Sequence, residues 1–165
     1  MKLRRRTKFF IVASALGIAF LAIVAWNATA SMWVRIATSV VVYRLDPQLP
    51  KSETGDGAFP IRPYESWTPI LEQRLVTGAD ATAIRKAFLT ATESEAGGAL
   101  CHEPPYGLAF YCGPFEIYRT SVCFECNNYY DWYRFEYGWR TFSPRASELL
   151  DVLNGILPLD APRNL

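Results

Sequence analysis

All four cysteines and the single histidine fall within one stretch, Cys101 to Cys126, which reads CHEPPYGLAFYCGPFEIYRTSVCFEC. Inside it, Leu108–Tyr111 and Phe115–Cys123 are rich in aromatic and branched residues, the composition of strands. Gly113-Pro114 marks a turn between them, because proline removes a backbone donor and belongs at a turn or a sheet edge. A two-residue loop there pairs Cys112 with Phe115. Continued down the hairpin, that register sets Cys101 opposite Cys126, and a disulfide between them would close the base. Cys112 and Cys123 then lie at opposite ends and cannot join. A slip of one residue would turn the side chains to the other face, and the stretch with Pro104-Pro105 need not stay in the ladder.

Cys123-Phe-Glu-Cys126 also has the spacing of a redox motif. Such a pair works at a helix N-terminus, where the helix end stabilises a thiolate. Asn127, Asn128, Tyr129 and Tyr130 are poor helix formers, so no helix is expected to follow. On a strand, residues three apart point to opposite faces. A tight turn at Phe124-Glu125 would instead make half of a zinc knuckle, completed by Cys101 with His102 or Cys112. Three readings thus stand for Cys101, Cys112, Cys123 and Cys126: structural disulfide or buried thiols, a redox site, or a zinc site built from Cys101, His102, Cys123 and Cys126. The first leads, and it needs no cofactor.

Compartment bears on that choice, since disulfides persist where the surroundings are oxidising. Phe9 to Trp26 (FFIVASALGIAFLAIVAW) holds no charged residue. As a helix it would extend about 27 Å, close to the thickness of a bilayer core. Lys2, Arg4, Arg5, Arg6 and Lys8 precede it and would stay in the cytoplasm. The expectation is a signal anchor over residues 1–30: a single inner-membrane span with a cytoplasmic N-terminus and a periplasmic C-terminal domain. Ala28-Thr29-Ala30 also offers a small-residue cleavage site.

Residues 31–66 read as a membrane-proximal segment and linker. Met32 to Tyr43 is apolar but too short to span, and carries Arg35; either the helix continues outward through it for a few turns, or Val40 to Tyr43 begins a strand. Pro47, Pro50, Pro60 and Pro63, with Gly55 and Gly57, give the rest the composition of a tether, ordered where Phe59, Ile61 and Tyr64 touch the domain. The domain proper is placed at 67–158, with a loose tail at 159–165. Ile70 to Val76 is a strand, broken at Gly78. Asp80 then caps a helix whose inner face is Ala81, Ile84, Phe88 and Ala91. Ser143-Pro144 opens a last helix with the stripe Leu149, Leu150, Leu153 and Ile156.

Tyr129 to Trp139 (YYDWYRFEYGW) reads as an aromatic strand, or as a hairpin if the chain turns near Trp132 to Arg134. Its rings fill a core on one face. Tyr130, Trp132 and Trp139 are the candidates for a surface that binds a glycan or an envelope protein partner. The formal net charge is +1, which leaves no basic face for nucleic acid. No Ser/His/Asp set or glycine-rich phosphate loop stands out, and an enzyme site from Glu103, Glu125 and Asp131 has no spacing to recommend it.

The order of these motifs resembles a family of uncharacterised bacterial proteins, many with export signals. Its pattern is a C-x-x-P-R-H-G-like stretch, an ICFEC strand and an SP…LL…GIP end. The counterparts here are Cys101 with Pro104 to Gly107, Val122 to Cys126, Ser143-Pro144, and Leu149-Leu150 with Gly155 to Pro158. The resemblance covers Trp67 to Pro158. Pro105-Tyr106 stands where the family pattern has Arg-His, so a role for that histidine does not transfer. The resemblance implies a fold and no activity.

The expected architecture is α+β: an antiparallel sheet of about four strands with two packed helices, preceded by one N-terminal transmembrane helix. The expected function is a membrane-anchored interaction or structural module of the cell envelope, with thiol-redox or metal chemistry at Cys123 and Cys126 as the alternative.

Overall fold

The computed structural model describes residues 14, 16–17, 30–46, 57–62, 66–92, 101–131 and 138–159. The elements run α1 (Ala30–Ile36), β1 (Ser39–Leu45), β2 (Ala58–Arg62), β3 (Ser66–Thr77), α2 (Gly78–Ala91), β4 (Tyr106–Cys112), β5 (Phe115–Cys123), β6 (Asn128–Asp131), β7 (Gly138–Thr141) and α3 (Ala146–Ile156). Seven strands form one antiparallel sheet in the order β2-β3-β1-β4-β5-β6-β7. Three helices cover one face, where Val40, Val42, Leu108, Phe110 and Val122 meet Val34, Ile84, Phe88, Leu149 and Leu153.

The four-strand, two-helix expectation is corrected to seven strands and three packed helices among the described residues. Three strands account for the difference. β1 bears out the strand reading of Val40 to Tyr43, but it is the central strand of the sheet, hydrogen-bonded to β3 and β4, rather than part of a membrane-proximal segment. Its run of Val and Tyr has little polar alternation because both faces are covered, and such a run looks like a helix end when read alone. β2 comes from the segment read as a tether, at the point where Phe59 and Ile61 are expected to touch the domain; both are buried. Pro60 is tolerated there because β2 is an edge strand. The aromatic run turns back on itself, so that Asp131 pairs with Gly138 and one strand becomes β6 and β7.

The single-pass inner-membrane, periplasmic placement is likewise corrected. Among the described residues no helix is long and apolar enough to cross a membrane. The longest, α2, has 14 residues, and at about 1.5 Å each it covers about 21 Å, short of a core of about 30 Å. Apart from Ser14, Leu16 and Gly17, the apolar run 9–26 lies outside the described residues.

The helix faces follow the sequence pattern, while their starts differ. Ala81, Ile84, Phe88 and Ala91 are buried on α2 together with Ala87. Asp80 is not the cap; Thr77 holds that position and Asp80 sits in the first turn, where its charge suits the helix dipole. α3 begins after Arg145. Ser143 precedes it, accepts from the Arg145 amide at 3.3 Å and donates to the Thr90 carbonyl at 3.0 Å, which ties α3 to the end of α2. The start of the expected loose tail is held: Arg44 donates to the Leu159 carbonyl at 3.5 Å, and to the Pro158 carbonyl just before it at 3.2 Å.

The sheet curls. Edge strand β2 comes over the face opposite the helices, so that Phe59 lies on Gly107 and beneath the guanidinium of Arg119. Tyr43, Leu45, Phe59 and Ala109 form a second, smaller core on that face.

Candidate functional site

The β4–β5 hairpin turns where expected. Cys112 pairs with Phe115, and Gly113 takes φ 58°, the positive value required at the first position of a II′-type turn. The register then changes. Tyr111 faces Glu116, but Phe110 faces Tyr118, so Ile117 is an extra residue on β5. This bulge reverses the parity of everything below it. Tyr118, Thr120 and Val122 turn to the helices, and Arg119, Ser121 and Cys123 turn to the opposite face. Without it, Ser121 would point into the helical core.

Below the hairpin the chain leaves the ladder on both sides. Residues 101–105 precede β4 and Phe124–Asn127 form a turn, in which the Asn127 amide donates to the Phe124 carbonyl at 3.1 Å. Asn127 has φ 49°, a left-handed conformation that asparagine tolerates. These two irregular segments bring Cys101 and Cys126 together as a disulfide with Cα atoms 6.0 Å apart. The pair is the expected one, but the ladder does not make it. With the bulge, the continued register would aim Cys101 at residue 127, and only the departure from strand geometry restores the match.

A polar cluster lies under this bridge. His102 is 5% exposed, and Ser121 and Asn128 have no exposed surface. Asn128 donates its side-chain amide to the carbonyls of Cys101 and Cys126, at 2.8 and 3.2 Å. Its Oδ1 must therefore be the atom that faces His102 Nδ1. Nδ1 then carries the imidazole proton, and Nε2 is left to accept the Ser121 hydroxyl proton at 2.7 Å. Tyr130, opposite Ser121 in the ladder, places its ring 6.4 Å from the imidazole.

Ser121, His102 and Asn128 are thus ordered with the polarity of a hydroxyl nucleophile, its base and the group that orients the base. The sequence reading missed this set, because no short spacing links residues 102, 121 and 128. The one local signal was a serine and an asparagine in strands otherwise apolar or aromatic, two buried polar groups that require partners. The set is closed on every side: Ser121 exposes no atom to a substrate, and Asn128 spends its donors on the two cysteine carbonyls.

The remaining candidates are placed as follows. Cys123 is buried and donates its thiol to the Glu103 carbonyl at 3.3 Å. Burial pushes that thiol above its ordinary range, the reverse of what a redox nucleophile needs. Cys112 is a partly exposed free thiol near the hairpin tip. Cys101, His102, Cys123 and Cys126, the alternative zinc set, are engaged in the disulfide and these hydrogen bonds. Among the described residues no group of three or more His, Cys, Asp or Glu is arranged to hold a metal. Glu103 and Glu125 are exposed and apart from the cluster's interior, and the Asp131 side chain lies outside the described residues. Tyr130 is 6% exposed and so is core rather than partner surface, because its parity turns it onto His102. The Trp132 and Trp139 side chains lie outside the described residues.

Comparison with known proteins adds no relative: no family model, curated protein or solved structure matches the chain.

Proposed function

We propose that this chain is a non-enzymatic interaction or structural module stapled by its Cys101–Cys126 disulfide. The observation that carries this reading is the closure of the His102–Ser121–Asn128 cluster upon the bridge. Its outer hydrogen bonds end on the carbonyls of the two joined cysteines. The residues best equipped for chemistry are therefore spent on fixing two irregular segments against the sheet. The thiol-redox alternative has the opposite support: Cys126 is joined to Cys101 rather than Cys123, and burial raises the Cys123 thiol.

The test is a pair of substitutions in the oxidised protein. Asn128→Ala removes three hydrogen bonds and is expected to lower unfolding stability by about 3 kcal/mol in urea, since buried groups are left unpaired. Ser121→Ala is expected to leave the slow background hydrolysis of p-nitrophenyl acetate unchanged. Hydrolysis that vanishes with Ser121 would overturn the reading in favour of an acyl-transfer enzyme.

A further inference from the structure

On the helical layer, away from the stapled face, α1 and α2 enclose an open cleft of about 300 Å³ lined by Arg35, Thr82, Arg85, Lys86, Leu89 and Thr90. The spacing of the α2 residues, 82, 85, 86, 89 and 90, is that of one helix face. Arg35 joins them from the last turn of α1. Three cationic side chains therefore share one small concavity. The Arg44–Glu72 and Arg119–Glu116 ion pairs lie elsewhere in the fold, and among the described residues no carboxylate lines the cleft.

Arg85 is held in place there. It donates to the Arg35 carbonyl at 2.9 Å and to the Thr82 hydroxyl oxygen at 3.0 Å. Thr82 in turn gives its own proton to the Gly78 carbonyl at 3.0 Å, which leaves its lone pairs for the guanidinium. Both acceptors are neutral, so among the described residues the charge is positioned without being neutralised. Its Nε–H is buried and has no acceptor among the described residues. A fixed guanidinium flanked by further cations is the arrangement that receives an oxyanion, because planar N–H donors match carboxylate and phosphate oxygens. Leu89 supplies an apolar wall, and the volume suits a small organic molecule rather than a bare ion.

We infer that this cleft binds a small organic anion, with its carboxylate or phosphate group on Arg85, Lys86 and Arg35 and its carbon skeleton against Leu89. The inference stands on the cleft alone and does not depend on the function proposed above.

The experiment is a backbone amide NMR titration of the full chain with phenyl phosphate and, separately, phenylacetate, each against sodium chloride at equal ionic strength. Saturable shifts are expected at Thr82, Arg85, Lys86 and Thr90, and Lys86→Glu should weaken binding at least tenfold. Tighter binding of phenyl phosphate would assign the site to phosphoryl groups, and tighter phenylacetate to carboxylates. Lys86 is exposed, so its replacement tests charge without disturbing the α1–α2 contact that Arg85→Ala would also remove. Shifts that chloride reproduces, shifts that do not saturate, or an unchanged affinity in Lys86→Glu would each overturn the inference.

Discussion

The ring of Phe59 lies so close over Gly107 that a β-carbon on the glycine would come within 2.6 Å of its edge. This contact lets β2 curl over the centre of the sheet, since any side chain at 107 would hold Phe59 off. Gly107→Ala is expected to destabilise the protein by about 2 kcal/mol through overpacking. Phe59→Leu should recover part of that loss in the double variant. Urea unfolding of the two single variants and the double closes the cycle; strict additivity would mean that the two residues do not press on each other.

The disulfide joins positions 25 residues apart. A loop of that length implies about 3.5 kcal/mol of stabilisation from restriction of the unfolded chain. Reduction with thiols blocked, or Cys101→Ala, should lower unfolding stability by about that amount. Because Cys101 is exposed, reduction should proceed on the folded protein. Mass spectrometry of peptides from the oxidised chain should recover Cys101 and Cys126 in one linked species.

The two free thiols differ in environment, and labelling should separate them. Cys112 is partly exposed, whereas Cys123 is buried and its thiol is pushed upward, first by burial. In native buffer at neutral pH, iodoacetamide is expected to modify Cys112 within minutes and Cys123 only after denaturant is added. Equal rates at the two positions would contradict the buried thiol.

Tyr111 sets an alkaline limit. Its phenol is pushed up to about 12, first by burial and then by the Glu116 carboxylate, to which it donates a hydrogen bond at 3.1 Å. In the unfolded chain it ionises near 10. Between those values the unfolded state binds fewer protons than the native one, so stability falls as pH rises. The contribution is complete below pH 10 and lost by about 12. Tyr111→Phe should flatten the decline of the melting temperature across that window.

Much of the local structure follows from the sequence by itself. The inner faces of α2 and α3 are determined by apolar spacing, because a helix buries residues three and four apart whatever it packs against. The hairpin turn is determined by Gly113-Pro114, since few residue pairs meet its backbone demands. The joining of Cys101 to Cys126 was legible too, though by an argument that the bulge at Ile117 invalidates. What only the tertiary structure decided is non-local. Val40 and Val42 become the centre of the sheet because β3 and β4, distant in sequence, pair on either side of them. Ala58–Arg62 becomes a strand because it can lie at an edge and place Phe59 over a glycine. Ser121, His102 and Asn128 meet because one extra residue turns β5 over and two irregular segments close beneath it. Local pattern reports which face a residue prefers, whereas the partner across that face depends on register and curl, which many weak pairings set together.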